Sequence, residues 1–285
     1  MTRLIADIPY GQAGIAHGSQ PRQITLRMDA YLPEATNGPV PAVMLAFGGA
    51  FLRGSKEDDS FPNAGRFGPN TAMAEYCRRF AADGFACFSV GYRLGGDDPD
   101  PGSTPVLTRP EAVPMDRIRQ VREMMGLPPA TPQQMAGVVE AAIDDMTAAA
   151  RFVIARADEY GVDPSRVILG GWSAGARCAL YAAYAEYVPC VGVVSLSGTM
   201  DIADIAAHRR SDPMPPLLMI HAEQDIGYIA ETTPRLGEAM RAAGCDARSI
   251  QVLGRDHWYA AEAMTDAGVT VQQAMRAALR DWTGI

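Results

Sequence analysis

The sequence predicts an α/β protein whose central, mainly parallel sheet is covered by helices on both faces. Three observations point to it. Short apolar runs without alternation recur along the chain, as strands buried on both faces require. Helical stretches separate these runs, so that strand, helix and strand follow one another. The 285 residues, 48% hydrophobic and 20% charged, are enough for one α/β domain with a full core, or for two small domains, and the continuous alternation favours the single domain.

Residues 1–20, with Gly11, Gly14 and Gly18, read as irregular. Over 23–32 the residues Ile24, Leu26, Met28, Ala30 and Leu32 alternate with polar ones, which predicts a half-exposed strand at a sheet edge. A turn is expected over 33–41. Residues 42–47 then run apolar, as a strand covered on both faces does, and end in Gly48-Gly49-Ala50-Phe51. A helix over 71–83 and a buried strand over 84–92 complete a β-α-β unit.

Residues 94–132 interrupt this rhythm. Gly95-Gly96-Asp97-Asp98-Pro99-Asp100-Pro101-Gly102 is a strong loop signal, and a short amphipathic piece covers 115–125. A loop of this length in a compact domain is usually functional, so an inserted segment or lid over the site is expected. A long helix follows over 132–160, with Val138, Ala142, Asp145, Ala149 and Phe152 on one face. Asp145 there reads as a packing or hydrogen-bonding residue. The alternation then resumes with strands over 166–171, 190–196, 217–221 and 249–253. Helices are expected over 174–187, 232–243 and 269–282, and a loop region with a short helix over 197–216. There is no internal repeat.

Several function classes recede on composition. The net charge is −8 and no basic stripe is visible, which argues against a nucleic-acid partner. Lys56 is the sole lysine. Cys77, Cys87, Cys178, Cys190 and Cys245 are dispersed and form no C-x-x-C, so reduced thiols are expected and a metal site is not. The first residues meet Asp7 and Pro9 before any apolar run, unlike a signal peptide, and no apolar stretch reaches membrane-spanning length. The expectation is a cytoplasmic protein with no membrane partner; a homodimer is left open.

The chemistry centres on Gly171-Trp172-Ser173-Ala174-Gly175, a G-x-S-x-G between the strand over 166–171 and the helix over 174–187. A serine on so tight a turn projects its hydroxyl, and the helix N-terminus favours negative charge beside it. A plain turn serine is the competing reading. A free hydroxyl is a poor nucleophile near neutral pH and needs a base. Of the histidines His17, His208, His221 and His257, the last follows the final strand and is the candidate. His221 reads as a core or supporting residue, His208 as a solvated surface residue, and His17 has no evident role. Asp225, just after the preceding strand, is the acid expected to orient His257, giving the chain order Ser, Asp, His. Glu223 and Asp201 are the runners-up; Asp256 is too close in sequence to turn towards its neighbour. Backbone N–H groups of Gly49, Ala50 and Ala174 are candidates for an oxyanion hole, although Gly48-Gly49-Ala50 also reads as a simple turn. Phe47, Phe51, Trp172, Trp258 and Tyr259 are candidates to line an apolar substrate pocket, or plain core.

Taken together these residues resemble the α/β-hydrolases of the carboxylesterase and lipase kind. The similarity extends to the group that includes hormone-sensitive-lipase-like and feruloyl or acetyl-xylan esterases. It spans residues 23–282. It rests on Phe47-Gly48-Gly49-Ala50-Phe51 for the family's H-G-G-G-[FW], Gly54-Ser55-Lys56, Tyr92-Arg93-Leu94, the serine turn, Asp225 and His257. Phe47 stands where the family has histidine, so a hydrogen bond that braces the oxyanion loop is expected to be missing. Ala50 stands where it has a third glycine, which narrows the backbone choice, and neither change removes a backbone donor. Cap helices at the N-terminus are not evident. The resemblance implies a serine esterase acting on a small or medium carboxylic ester, with no cofactor and no metal. An amidase, formamidase or peptidase with the same three residues, and a non-catalytic binding protein of this fold, are the alternatives.

Overall fold

The computed structural model describes residues 2–34 and 36–285; Met1 and Ala35 lie outside the described residues, and with Ala35 one position of the turn expected over 33–41. Eight strands form one sheet: β1 (Thr2–Ile15), β2 (Arg22–Pro33), β3 (Val40–Ala46), β4 (Ala86–Val90), β5 (Val162–Trp172), β6 (Gly192–Leu196), β7 (Leu217–Gln224) and β8 (Ala247–Asp256). Their order across the sheet is β1-β2-β4-β3-β5-β6-β7-β8. From β4 to β8 all neighbours are parallel. The β1–β2 and β2–β4 pairs are antiparallel. The innermost strands read as continuous apolar runs because both of their faces are covered: Val43, Met44, Val167, Ile168, Leu169 and Val193 are fully buried.

The first strand departs from expectation. Residues 1–20 read as irregular, yet β1 is a long strand and takes the sheet edge in place of β2. Its period is broken by register shifts between Ile5 and Ile8 and between Pro9 and Gly11. Such bulges move side chains from one face to the other and erase the alternation that a sequence would show. At the first bulge Asp7 has a positive φ of 57°, and its N–H donates to Asp29 Oδ1 at 2.8 Å.

Helices α1 (Met73–Ala82), α2 (Met115–Met124), α3 (Pro132–Ala155), α4 (Ala157–Tyr160), α5 (Ala174–Tyr184), α6 (Ile202–Ala207), α7 (Gly227–Ala242) and α8 (Val271–Thr283) complete the chain. Thr131 caps α3 and Thr270 caps α8, each through its hydroxyl and a glutamine three residues on. Arg276 of α8 reaches Asp83 just past the end of α1 at 2.7 Å, which links the two helices. Residues 94–132 are less irregular than their composition suggests, since they hold α2 and single turns of 3₁₀ helix at Gly95–Asp97 and Pro110–Ala112. Arg93, at the end of β4, forms a buried ion pair with Asp145 of α3 at 2.9 Å and also donates to the carbonyls of Gly14 and Asp100. Arg93 thus ties three segments together, with Asp145 as its buried anchor, the hydrogen-bonding part expected of that residue. Among the described residues no helix is long and apolar enough to cross a membrane.

Candidate active site

The carboxyl ends of β3, β5, β7 and β8 meet over one edge of the sheet, where ligand sites of such sheets lie. Ser173 stands between β5 and α5 at φ 53° and ψ −112°, a backbone conformation that costs a non-glycine residue about 1–3 kcal/mol. The turn is possible only because its neighbours are small. A Cβ on Gly175 would come within 2.1 Å of the Ala46 carbonyl oxygen, and one on Gly171 within 2.5 Å of it. The packing that aims the serine is therefore paid for in glycine.

Three side chains from distant parts of the sequence meet there. His257 Nε2 lies 3.0 Å from Ser173 Oγ, and His257 Nδ1 lies 2.6 Å from Asp225 Oδ1. A carboxylate accepts only, so Nδ1 carries the proton and Nε2 is left to accept from the serine hydroxyl. The His257 side chain is 2% exposed and that of Asp225 is 0%. Asp225 is further held by Ser197 Oγ at 2.5 Å and by the backbone N–H groups of Ala222 and Ile226, each at 2.9 Å. Burial pushes its carboxyl up, but His257 and the donors from Ser197 and Ala222 outweigh it and hold it below the usual carboxylate range.

The other acids and histidines weighed from sequence sit elsewhere. Glu223 accepts from Gly254 N–H, Asp201 caps α6 and pairs with Arg109, and Asp256 accepts from Arg66 and Trp258 N–H. His221 is buried with its Nδ1 unpartnered. His17 pairs with Asp100 at 2.9 Å. His208, expected on the surface, is half-buried and its Nε2 meets the Val106 carbonyl oxygen at 2.8 Å.

The loop after β3 brings Ala50 and Phe51 against Ser173 and Ala174 in a narrow cavity, which Pro114 and Arg117 of the 94–132 segment also line. Gly49, Ala50 and Phe51 all have positive φ, at 126°, 58° and 62°. The N–H groups of Gly49, Ala50 and Ala174 donate no hydrogen bond among the described residues. The brace expected to be missing is supplied by other residues. Asp59 accepts from Gly48 N–H at 2.9 Å and from Met73 N–H at 2.7 Å, and Tyr92 Oη donates to the Phe47 carbonyl at 2.8 Å. Burial pushes the Asp59 carboxyl up to about 7, with the two backbone donors pulling the other way. Nothing in the sequence marks Asp59, because it sits in the charged run from Lys56 to Asp59 and its burial is a tertiary fact.

The aromatic residues divide. Phe51 lines the cavity. Trp172 packs against His257 at 5.0 Å between ring centroids, and Trp258 meets the same imidazole edge-on at 5.2 Å. Phe47 and Tyr259 depart from the expected pocket role. Phe47 stacks on Tyr92 at 4.2 Å in the core, and Tyr259 is 3% exposed with its hydroxyl shared between Ser197 and the Ile220 carbonyl. Tyr259 and Ser197 thus support Asp225 from behind, a role that only the folded chain reveals. A larger groove between the 95–110 stretch and α3 contains none of Ser173, Asp225 and His257.

Residues 128–266, just under half of the chain, match the model of the phospholipase/carboxylesterase family. Among solved structures, a thermophilic esterase from the Planctomycetes species Thermogutta terrifontis superposes with a TM-score of 0.61 at 17% identity, over 95% of this chain and 89% of that one. The same esterase phosphorylated by paraoxon gives 0.59 at 18% identity, over 98% and 90%. Esterase B from Lactobacillus Rhamnosis gives 0.54 at 17%, over 88% and 75%. With the parallel strand order and the strained serine turn between β5 and α5, these likenesses show that the chain has the α/β-hydrolase fold.

Proposed function

We propose that the chain is a serine hydrolase that cleaves carboxylic esters of small or medium size through an acyl-enzyme at Ser173. The observation that carries this reading is the continuous contact from Ser173 Oγ through His257 to Asp225, at 3.0 and 2.6 Å. Ser173 Oγ attacks the acyl carbonyl while His257 Nε2 takes its proton. The tetrahedral oxyanion sits against the N–H groups of Ala174 and of Gly49 or Ala50. Collapse passes the proton from His257 to the leaving alkoxide and leaves the acyl group on Ser173. A water then attacks in the same way, with His257 as base, and releases the carboxylic acid and the serine. Asp225 holds the imidazole tautomer and stabilises its cation without taking the proton. The chemistry calls for no metal and no cofactor, and the reading is of a cytoplasmic enzyme with a small-molecule partner.

The family match over 128–266 and the esterases that share the fold support this reading. The finer resemblance, to hormone-sensitive-lipase-like and feruloyl or acetyl-xylan esterases, rests on Phe47-Gly48-Gly49-Ala50-Phe51 and its neighbours. Purified protein is expected to hydrolyse p-nitrophenyl acetate and butyrate. Ser173→Ala is expected to lower kcat by at least about 10⁴-fold. Full turnover by that variant would overturn the mechanism. Paired esters and anilides of one acid decide between ester and amide, with the ester expected to be faster.

A further inference from the structure

Two arginines line the cavity at Ser173 without a carboxylate in direct ion-pair contact among the described residues; the carboxylates nearest to Arg177 are Asp201 and, through the Tyr181 hydroxyl, Asp204. Arg117 of α2 and Arg177 of α5 line it with Ser173, and no Asp or Glu does. Arg177 is 5% exposed; its guanidinium donates to the carbonyls of Thr199 and Ala112 and to Tyr181 Oη at 3.2–3.4 Å, and its Nε has no partner. Asp201 is near enough for Arg177 to lower its pKa, yet Asp201 makes its ion pair with Arg109. Among the described residues Arg117 donates only to Gln120, one turn further along its own helix. Arg53, just after the oxyanion loop, has a buried Nε without a partner. Among the described residues none of the three has a carboxylate within ion-pair distance, whereas Arg79, Arg93, Arg109, Arg166 and Arg276 all do.

What holds two of these cations in place is an aromatic chain with the reactive imidazole at its centre. The Arg53 guanidinium lies 4.4 Å from the Phe61 ring centre, and Phe61 lies 5.8 Å from Trp172. Trp172 and Trp258 flank His257, and Arg117 lies 5.2 Å above Trp258. A guanidinium held over a ring face keeps its N–H groups free for a ligand, which a salt-bridged one does not. Burial lowers the pKa of both Arg53 and Arg117, and Arg53 lowers that of Arg117 further, as two cations brought together without an anion must. Arg53 and Arg117 are half-buried and Arg177 buried; partly desolvated cations beside a reaction centre with no carboxylate in contact are completed by an anion that binds there.

We propose that the preferred esters carry an oxyanion of their own, a carboxylate or phosphate, which Arg117 and Arg53 bind at the mouth while Arg177 adds positive potential from the α5 side. This deepens the serine hydrolase reading and rests on it. The test compares mono-4-nitrophenyl glutarate with 4-nitrophenyl pentanoate, acyl groups of equal carbon number that differ in the terminal carboxylate. The ratio of their kcat/KM values is the readout, with the neutral ester as internal control for each variant. The wild type is expected to favour the glutarate by about tenfold or more, since hydrogen bonds to a charged group are of that strength. Arg117→Gln and Arg53→Gln are each expected to bring the ratio towards one, Arg117→Lys to keep part of it, and added salt to weaken it. A ratio at or below one in the wild type, or a ratio that neither glutamine variant moves, would overturn the proposal. Binding of glutarate monomethyl ester and of methyl phosphate to Ser173→Ala, followed by tryptophan fluorescence, tests the anion site without turnover and decides between carboxylate and phosphate. Saturable binding lost in the Arg53→Gln, Arg117→Gln background supports the site even if neither ester is hydrolysed, which would be the failure of the hydrolase reading alone. No binding of either anion counts against the site.

Discussion

The two sides of the site were built by different means. On the C-terminal side, Ser173, Asp225 and His257 stand at or just past the ends of parallel strands, each placed by its own strand–loop–helix unit. On the N-terminal side, the loop after β3 and the 94–132 segment take their shape from long-range contacts: Asp59 on Gly48, Tyr92 on Phe47, Arg93 on Asp145. Each side also contains a buried carboxylate, and the two shift in opposite directions. Asp225 faces an imidazole and is held ionised, whereas Asp59 faces only backbone N–H groups and rises to about 7. The contrast teaches that the three groups proposed to react are set by local topology, while the loops proposed to surround the substrate are set by tertiary packing.

The sharpest break of this comparison is expected on the C-terminal side. Asp225→Asn keeps the shape but removes the charge that fixes the His257 tautomer, so kcat is expected to fall roughly 10³–10⁴-fold. Steady-state kinetics on p-nitrophenyl butyrate measure it; a loss of less than tenfold would mean that another group orients His257. On the N-terminal side the effect should be smaller. Asp59→Asn can accept only one of the two backbone N–H groups, so the loop slackens without losing an oxyanion donor. A fall in kcat of about 10- to 100-fold is expected, below the full loss of one donor, with KM little changed. A change in KM alone would place Asp59 in substrate binding instead.

The smallest effect concerns pH and has a definite sign. Between about pH 4, the ordinary carboxyl range, and pH 7, folded Asp59 holds a proton that the unfolded chain has released. Its contribution to stability therefore falls as pH rises through that window. The Tm of the wild type relative to Asp59→Asn is expected to drop from pH 4 to pH 7. Asp225 acts in the opposite sense: its folded pKa is lowered, so its contribution is present above about pH 4 and lost on acidification below it. A Tm difference for Asp59→Asn that rises across the same range would contradict the assignment.

The same division decides what the sequence could disclose. The serine turn was legible because G-x-S-x-G between an apolar strand and a helix has few other uses, and Asp225 and His257 followed from chain order. The parallel sheet was legible because buried strands lose their alternation. β1 was not, because its bulges and Pro9 scramble the period-two pattern. Asp59 was hidden in a run of charges, and Ser197 and Tyr259 carry no pattern that links them to Asp225. For Phe47 and Tyr259 residue type leaves pocket and core equally open, because the orientation of a ring is decided by its neighbours. Arg117 and Arg177 look like part of an evenly spread arginine bias until the fold brings them to one cavity, with Arg53 close enough to Arg117 to act on its charge.

The most direct measurement is the mass of the intact protein after exposure to paraoxon, the reagent that phosphorylates the Thermogutta terrifontis esterase. The wild type is expected to gain a single phosphoryl adduct on the peptide that contains Ser173, Ser173→Ala none, and His257→Ala one that forms far more slowly. An unmodified wild type, or an adduct that forms equally well in Ser173→Ala, would contradict the account.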